Sequence, residues 1–474
     1  MKSLITAGYF YQYARCHYWS YLEMYGDFAR KKPPTPFLQR TMEGNLEFEK
    51  DVMERMAYVQ PDYPPGDYSQ GLQATLELMR SGVDLIGHGV LLADNFLGIP
   101  DLLKKIPASS QLGDYHYQPV EIKAGRFLKK SYLLQVLFYA HLLHILQGRL
   151  PDEARLILCN KGQQPVSVPE NMPLFQAALD DILAIRDGAD RVPHLSSRCK
   201  SCAWKEVCRE IAYQREDLSL VPSLSKPLKQ ELAALGIETV SQLARLSSRR
   251  MRKLKTLGIK VSRNLRLQAL ALVEKRFIKI GSPQLPKRSV EIFFDIEGEE
   301  KQGVAYLLGA LVCRSGSEEH YSFVAAKPEE ERRIWQEFQK LMVALDDFVV
   351  YHYHTYELLT LARLKEKYGA REDVYQRIME NMVDLFKMIK NTVILPTLGY
   401  SLKEIACWLG FHWSNHQANA SQSMLWYALW LETEERRYLD WSVEYNRDDC
   451  RATKIVKDWL VTVENNNHQN DNDS

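Results

Sequence analysis

Apolar and polar positions fall into blocks along the chain that predict strands and helices in alternation. The run Leu91 to Ile99, with its Ala93-Asp94-Asn95 turn, reads as one strand of a hairpin, and Gln118 to Ile122 reads as the neighbouring strand. Ser131 to Leu146 (SYLLQVLFYAHLLHIL) is an apolar stretch of helical length, with Ser131 placed to cap it and Gln135 and Tyr139 four residues apart on one face. Ala154 to Asn160 follows as an apolar strand in which Cys159 is expected to be buried filler. Earlier, Leu4 to Phe28 has a helix-like run with Cys16 in its middle. A basic, proline-rich loop, Lys31 to Pro36, then precedes a helix, MEGNLEFEKDVMERM, at 42–56.

The second half changes character twice. Leu232 to Leu246 and the stretch 251–273 read as short helices broken at two Leu-Gly-Ile tripeptides around Gly236 and Gly258. From Ser289 a strand-like run, VEIFFDIEG, is followed by strands over Ala305 to Val312 and Ser322 to Ala325 and by a helix around Trp335. Next come a buried strand at Phe348 to Tyr353, a helix opening near Tyr356-Glu357, a Gly399-Tyr400-Ser401-Leu402-Lys403 segment, and the helix LDWSVEYNRDDCRATKIVKDWL at 439–460. Asn465 to Ser474 (NNNHQNDNDS) is polar and expected to be disordered.

Placed on these elements, the charged residues suggest chemistry. Two adjacent strand ends bring Asp101 towards Glu121, and period-2 alternation puts Glu121 and Lys123 on one face with the Ile122 carbonyl between them. Carboxylates and a carbonyl make a hard oxygen site suited to Mg²⁺ or Mn²⁺, and a neighbouring ammonium suits an attacking water or phosphate charge. The order Gly98-x-x-Asp101, Glu121-x-Lys123, Gln135-x-x-x-Tyr139 resembles the PD-(D/E)xK nucleases of the RecB family, with a restriction-endonuclease-like fold. The resemblance departs at the first nuclease motif. Where that family often has a metal-binding histidine, Phe48 stands here between Glu47 and Glu49, so one of those glutamates substitutes or the site uses fewer protein ligands.

Of the eight cysteines, Cys199, Cys202 and Cys208 form a C-x₂-C-x₅-C group, and Cys16 is the natural fourth ligand if the two ends of the domain meet. This one-plus-three arrangement resembles the iron–sulphur subset of RecB-family nucleases, including AddB-type and CRISPR-adaptation exonucleases, which implies a structural 4Fe-4S cluster. Four thiolates also suit Zn²⁺, and the neighbouring nuclease motifs favour the cluster.

In VEIFFDIEG, Asp295 and Glu297 share a strand face, and Tyr445 and Asp449 share a helical face. With a distant second acid, this pattern resembles the RNase H-like DEDD exonucleases of the tyrosine subclass. In these, four carboxylates hold two metals about 3.5–4 Å apart and a tyrosine orients water. Glu357 is the best positional match for the second acid, where that family uses Asp; Asp384 competes with it, and His352 and His354 are expected to be structural.

The net charge of +1 conceals an asymmetry: residues 221–290 hold sixteen Lys or Arg against Glu231, Glu238 and Glu274, a local +13. Together with the Leu-Gly-Ile breaks this stretch resembles helix-hairpin-helix DNA-binding modules, although Lys260 replaces the usual second hairpin glycine. A content of 46% apolar and 26% charged residues is that of a globular protein, without a membrane-length apolar window or signal-peptide architecture, so a cytoplasmic location is expected. No P-loop is present, so any helicase must act in trans.

The expected organisation is an α/β nuclease domain at 1–215, a helix-hairpin-helix-like linker at 216–285, an RNase H-like α/β domain at 286–464 and a tail at 465–474. The order resembles a family of bacterial RecB-like nucleases. It implies a metal-dependent nuclease of DNA single strands or ends in repair or recombination. An RNA 3′ exonuclease and a non-catalytic nucleic-acid scaffold are the alternatives.

Overall fold

The structure, a computed structural model, describes residues 4–159, 161–222, 224–247, 259–299 and 303–465. The chain divides into two units, 1–211 and 212–474, so the basic stretch belongs with the second. Arg249, Arg250, Arg252, Lys253, Gly258 and the tail beyond Asn465 lie outside the described residues.

In chain order the strands of the first unit are β1 (Ile5–Thr6), β2 (Leu85–Gly87), β3 (Leu91–Ala93), β4 (Phe96–Gly98), β5 (Leu102–Ser110), β6 (Gly113–Lys123), β7 (Glu153–Leu158) and β8 (Gly162–Ser167). The main sheet runs β2-β5-β6-β7-β8. β5 and β6 are antiparallel and need only a tight turn, with Gly113 at φ +125°. β6 and β7 are parallel and need a crossover, which the helix Lys130–Gln147 supplies. That helix is apolar nearly all round because it is covered nearly all round: its Phe138 stacks on Phe10 at 4.8 Å, and Leu134, Leu137 and Leu142 complete the core with Phe175. Gly148, at φ +66°, ends it in the left-handed conformation.

Four local expectations are corrected. The Leu91–Gly98 hairpin is not the neighbour of the Glu121 strand. Asp94, at φ +50°, folds β3 back on β4, and the pair forms a separate three-stranded sheet with β1. The neighbour of β6 is β5, which starts immediately after Asp101. Ser131 does not cap the long helix: Lys129 is the N-cap residue, its carbonyl taking the Tyr132 and Leu133 amides, and Ser131 is buried at the second helical position. Cys16 is not mid-helix, for its extended backbone (φ −161°, ψ 118°) ends the helix Ala7–Arg15 and begins His17–Tyr25. Cys159 is only half-buried.

The second unit contains β9 (Ile278–Lys279), β10 (Val290–Glu299), β11 (Val304–Arg314), β12 (Ser317–Val324), β13 (Phe348–His352), β14 (Met382–Asp384) and β15 (Val393–Ile394). β10 to β12 form an antiparallel meander, and β13 and β14 join it in parallel, giving the order β12-β11-β10-β13-β14. The consecutive apolar residues Ile292, Phe293 and Phe294 in β10 are explained by burial on both faces. Phe294 packs with Trp335 and Phe338 of the helix Glu331–Val343. Phe293 packs on the other face with Cys450, Val456 and Leu460 of the helix Arg437–Asn465. Asp295 and Glu297 therefore point from β10 to the side of that last helix.

In the basic stretch the helices Lys226–Ala234 and Val240–Ala244 are separated at Gly236, whose φ of +75° suits glycine. The helix Ile259–Glu274 is tied to the domain through Gln268. Its Nε2 donates to the Leu395 carbonyl at 2.5 Å, and its Oε1 accepts from the Tyr400 hydroxyl at 2.7 Å.

Candidate active sites

In the first unit the β5–β6 pairing of Leu102 with Val120 leaves Asp101 across from Glu121 at the sheet end. The Ile122 amide donates to Asp101 Oδ2 at 2.5 Å and fixes that carboxylate with its other oxygen free of this bond. Glu121 Oε2 accepts the Asp101 amide at 3.4 Å, and Lys123 Nζ donates to Glu121 Oε1 at 2.6 Å. Burial first, then the charge of Glu121, pushes the Asp101 pKa well up; burial also raises Glu121, against the pull of Lys123. Burial opposes the charge on Lys123, but Glu121 and Asp101 outweigh it and raise its pKa, so the ammonium persists.

The donor set is wider than the sequence motifs. Ligand atoms of Glu49, His88 and Asp101 lie within 4.8 Å of one another. Phe48 turns away to pack beside Leu102, Val120 and Ile122, which leaves its neighbour Glu49 on the site side of the helix Pro36–Met53. His88 was not legible as a site residue: a lone histidine in a Gly-His-Gly turn, held at φ +48° with its amide donating to the Asp101 carbonyl at 3.1 Å, belongs to no periodic pattern. The mixed carboxylate and imidazole set fits a divalent ion such as Mn²⁺ or Mg²⁺. Tyr139 is buried; burial and then the charges of Glu121, Asp101 and Glu49 raise its pKa well above the ordinary range, so it stays a protonated donor. Gln135 Oε1 is buried and has no hydrogen-bond partner among the described residues. A Cβ at Gly98 would come within 2.9 Å of the Tyr139 ring, so the glycine lets β4 approach the helix.

Three of the four cysteines share a second, smaller core of this unit. Cys16 and Cys202 pack around Cys208 in a small cluster with Tyr18, Leu22 and Trp204. Glu23 joins the two segments, accepting Trp204 Nε1 and Trp19 Nε1, each at 2.9 Å. Burial, then the neighbouring thiols of Cys16, Cys202 and Cys199, pushes Cys208 up to about 12. Among the described residues these cysteines do not form one of the groups whose ligand atoms all lie within 4.8 Å of one another.

In the second unit Asp295, Glu297 and Asp449 bring carboxylate oxygens within 4.8 Å of one another. Asp449 Oδ1 accepts Trp413 Nε1 at 2.8 Å, and Tyr445, one turn earlier, also hydrogen-bonds Asp449. Asn446, which the motif alone does not single out, donates to Asp295 Oδ2 at 2.7 Å and to the Asp295 carbonyl at 3.2 Å. It has room only because Gly309 lies opposite, where a Cβ would overlap its amide. Ser423 bonds Glu297 and meets the Tyr306 hydroxyl at 2.9 Å. Glu357 is buried at the start of the helix Tyr356–Tyr368, its Oε2 3.5 Å from His352 Nδ1, and its charge is felt at both Asp295 and Glu297. Asp384 does different work. Its Oδ1 accepts the amides of His354 and Lys387, at 3.0 and 3.3 Å, and so caps the helix Leu385–Thr392. These acids fit a divalent ion by the same hard-oxygen argument.

Burial raises the pKa of Asp295, Glu297 and Glu357, and that of Asp449 to about 7. A carboxyl whose ordinary pKa is 3.8 and whose folded value is about 7 binds more protons folded than unfolded. Its stabilisation is therefore complete below about pH 4 and is lost as pH rises through 7. Metal-free protein is expected to melt at a lower temperature at pH 8 than at pH 6. Asp449→Asn should flatten that slope, and added Mn²⁺ should stabilise more at pH 8 than at pH 6. A melting temperature independent of pH in EDTA, followed by calorimetry, would contradict the assignment.

Among the described residues no helix is long and apolar enough to cross a membrane. A search of curated proteins finds no match to the chain. A family model described as RNase_H superfamily matches residues 292–461, spanning β10 to the last helix. The second unit thus carries an RNase H-like domain, a type that points to nucleic-acid hydrolysis, and the acidic cluster of Asp295, Glu297 and Asp449 lies within the matched residues.

Proposed function

We propose that the chain is a metal-dependent nuclease with two hydrolytic centres, acting on DNA single strands or ends in repair or recombination. The observation that carries the reading is the meeting of half-buried Asp295 with buried Glu297 and Asp449, mutually repelling, inside the matched domain. Acids held this way without a cation are costly, and binding one relieves the cost. In the first unit Asp101, Glu121, Glu49 and His88 would hold Mg²⁺ or Mn²⁺; in the second Asp295, Glu297, Asp449 and Glu357 would. Bound there, such ions supply Lewis acidity to the phosphate and lower the pKa of water. Lys123 holds positive charge beside the attacked phosphate, and Tyr139 and Gln135 offer polar atoms to the substrate. Tyr445 orients water from its bond to Asp449, and Asn446 keeps the Asp295 carboxylate turned into the site. The first unit reads as RecB-like and the second as trimming from 3′ ends. Digestion of end-labelled DNA and RNA side by side, with Mg²⁺ and Mn²⁺ compared, tests the reading: cleavage of DNA is expected, cleavage of RNA alone makes the chain an RNA 3′ exonuclease, and cleavage of neither refutes it.

The same reading assigns Cys16, Cys199, Cys202 and Cys208 to a structural 4Fe-4S cluster that pins the ends of the first unit. Anaerobically purified protein is expected to be brown, and Cys202→Ala to lose both the colour and the stability of residues 1–211. A colourless anaerobic preparation with stoichiometric zinc would overturn the iron assignment.

A further inference from the structure

The Lys123 end of the central sheet carries a surface that the hydrolytic residues leave unused. Lys123 pairs with Leu158 across β6 and β7, so the chain after Lys123 and the turn into β8 leave the sheet at the same end. The segment after Lys123 reads Ala-Gly-Arg-Phe-Leu-Lys-Lys. Phe127 is 65% exposed and Leu128 53% exposed, an unusual way to leave two large apolar side chains. They are set among cations: Arg126, Lys129, Lys130 and Lys161 are all exposed, and among the described residues none is paired with a carboxylate. Lys161 Nζ, from the β7–β8 turn, lies 4.7 Å from the centre of the Phe127 ring, and Lys129 Nζ lies 5.3 Å from that of Tyr132.

An apolar patch with a cationic rim excludes a cationic or purely aliphatic partner and fits one that alternates flat apolar faces with negative charge. A polynucleotide strand does so, with its bases for Phe127 and its phosphates for the lysines. In a duplex the faces of internal bases are already stacked and unavailable to an aromatic side chain; in a single strand they are free. We propose that Phe127, with Arg126, Lys129, Lys130 and Lys161, is a stacking platform that delivers single-stranded nucleic acid to the site of Asp101, Glu121 and Lys123. This names the substrate form for the first centre and rests on its reading as a nuclease site.

The test is photo-cross-linking of full-length protein in EDTA to a bromodeoxyuridine-substituted single strand, with a 4-thiouridine RNA strand as a second arm. Without divalent metal no cleavage is needed, so this test and the nuclease reading succeed or fail separately. The cross-link is expected on the peptide containing Phe127, competed by unlabelled single strand and not by blunt duplex. Phe127→Ala should lower cross-linking there about tenfold, from the usual worth of one stacked base, and Phe127→Trp should retain it. Lys129→Glu with Lys130→Glu should weaken binding and flatten its salt dependence. Equal capture of the DNA and RNA strands supports the inference, because stacking reads the base face and not the sugar. Cross-links confined to other peptides, a Phe127→Ala protein that labels like wild type, or equal competition by duplex would overturn it.

Discussion

Lys123→Ala is expected to lower cleavage by the first centre about 10²- to 10³-fold, the usual loss when one preorganised charge is removed from the reacting phosphate. The measurement belongs in an Asp295→Asn background, so that the second centre does not mask the loss. Lys123 is held 2.6 Å from Glu121 and kept charged by Glu121 and Asp101, which makes it a fixed cation and not a proton donor at neutral pH. It is not itself a metal ligand. Lys123→Ala should therefore lose far less Mn²⁺ affinity, by calorimetry, than Asp101→Ala or Glu121→Ala. Wild-type rates in all three variants would remove this centre from the chemistry.

The second large effect is expected at Glu357. Asp295, Glu297 and Asp449 supply three carboxylates, and two divalent ions among three acids would leave excess positive charge. Glu357 is buried, with burial raising its pKa and His352 opposing the rise, and its field reaches the other acids. Glu357→Gln keeps the shape and removes the charge, so 3′ trimming by the second centre should fall at least about 10²-fold. Glu357→Asp shortens the reach by one methylene to the acid usual in the resembled family, and should preserve trimming, best in Mn²⁺, which tolerates irregular geometry better than Mg²⁺. Asp384→Asn should instead act on stability, since it weakens a cap worth about 1 kcal/mol. Trimming that survives Glu357→Gln and disappears in Asp384→Asn would exchange their roles.

How much of this was readable from the chain varies with the physics of each element. Strand alternation put Asp295 and Glu297 on one face, and helical spacing paired Tyr445 with Asp449, because both depend on local geometry alone. Glu121-x-Lys123 was legible for the same reason. The strand that completes that site was misjudged, since a nine-residue apolar run with an Asp-Asn turn does not reveal that it folds on itself, nor that β5 begins at Leu102. His88 could not be found by period, because a left-handed turn residue reaches the site only through the tertiary path of the chain. Asn446 hides for a related reason: its role depends on the gap opposite Gly309, a packing fact between a strand and a helix far apart in sequence. The departure at Phe48 became intelligible only when the helix showed Phe48 turned to the core and Glu49 to the acids.

The most direct test of the two-centre account is one digestion series on full-length, anaerobically purified protein: wild type, Lys123→Ala, Asp295→Asn and the double variant, each on end-labelled single-stranded DNA with Mn²⁺, with Mg²⁺ and with EDTA. The account predicts cleavage by wild type only with metal, reduced and different product patterns in each single variant, and no cleavage in the double variant while the fold is retained by circular dichroism. Undiminished Mn²⁺-dependent cleavage in the double variant, or none in wild type with either Mn²⁺ or Mg²⁺, would contradict it.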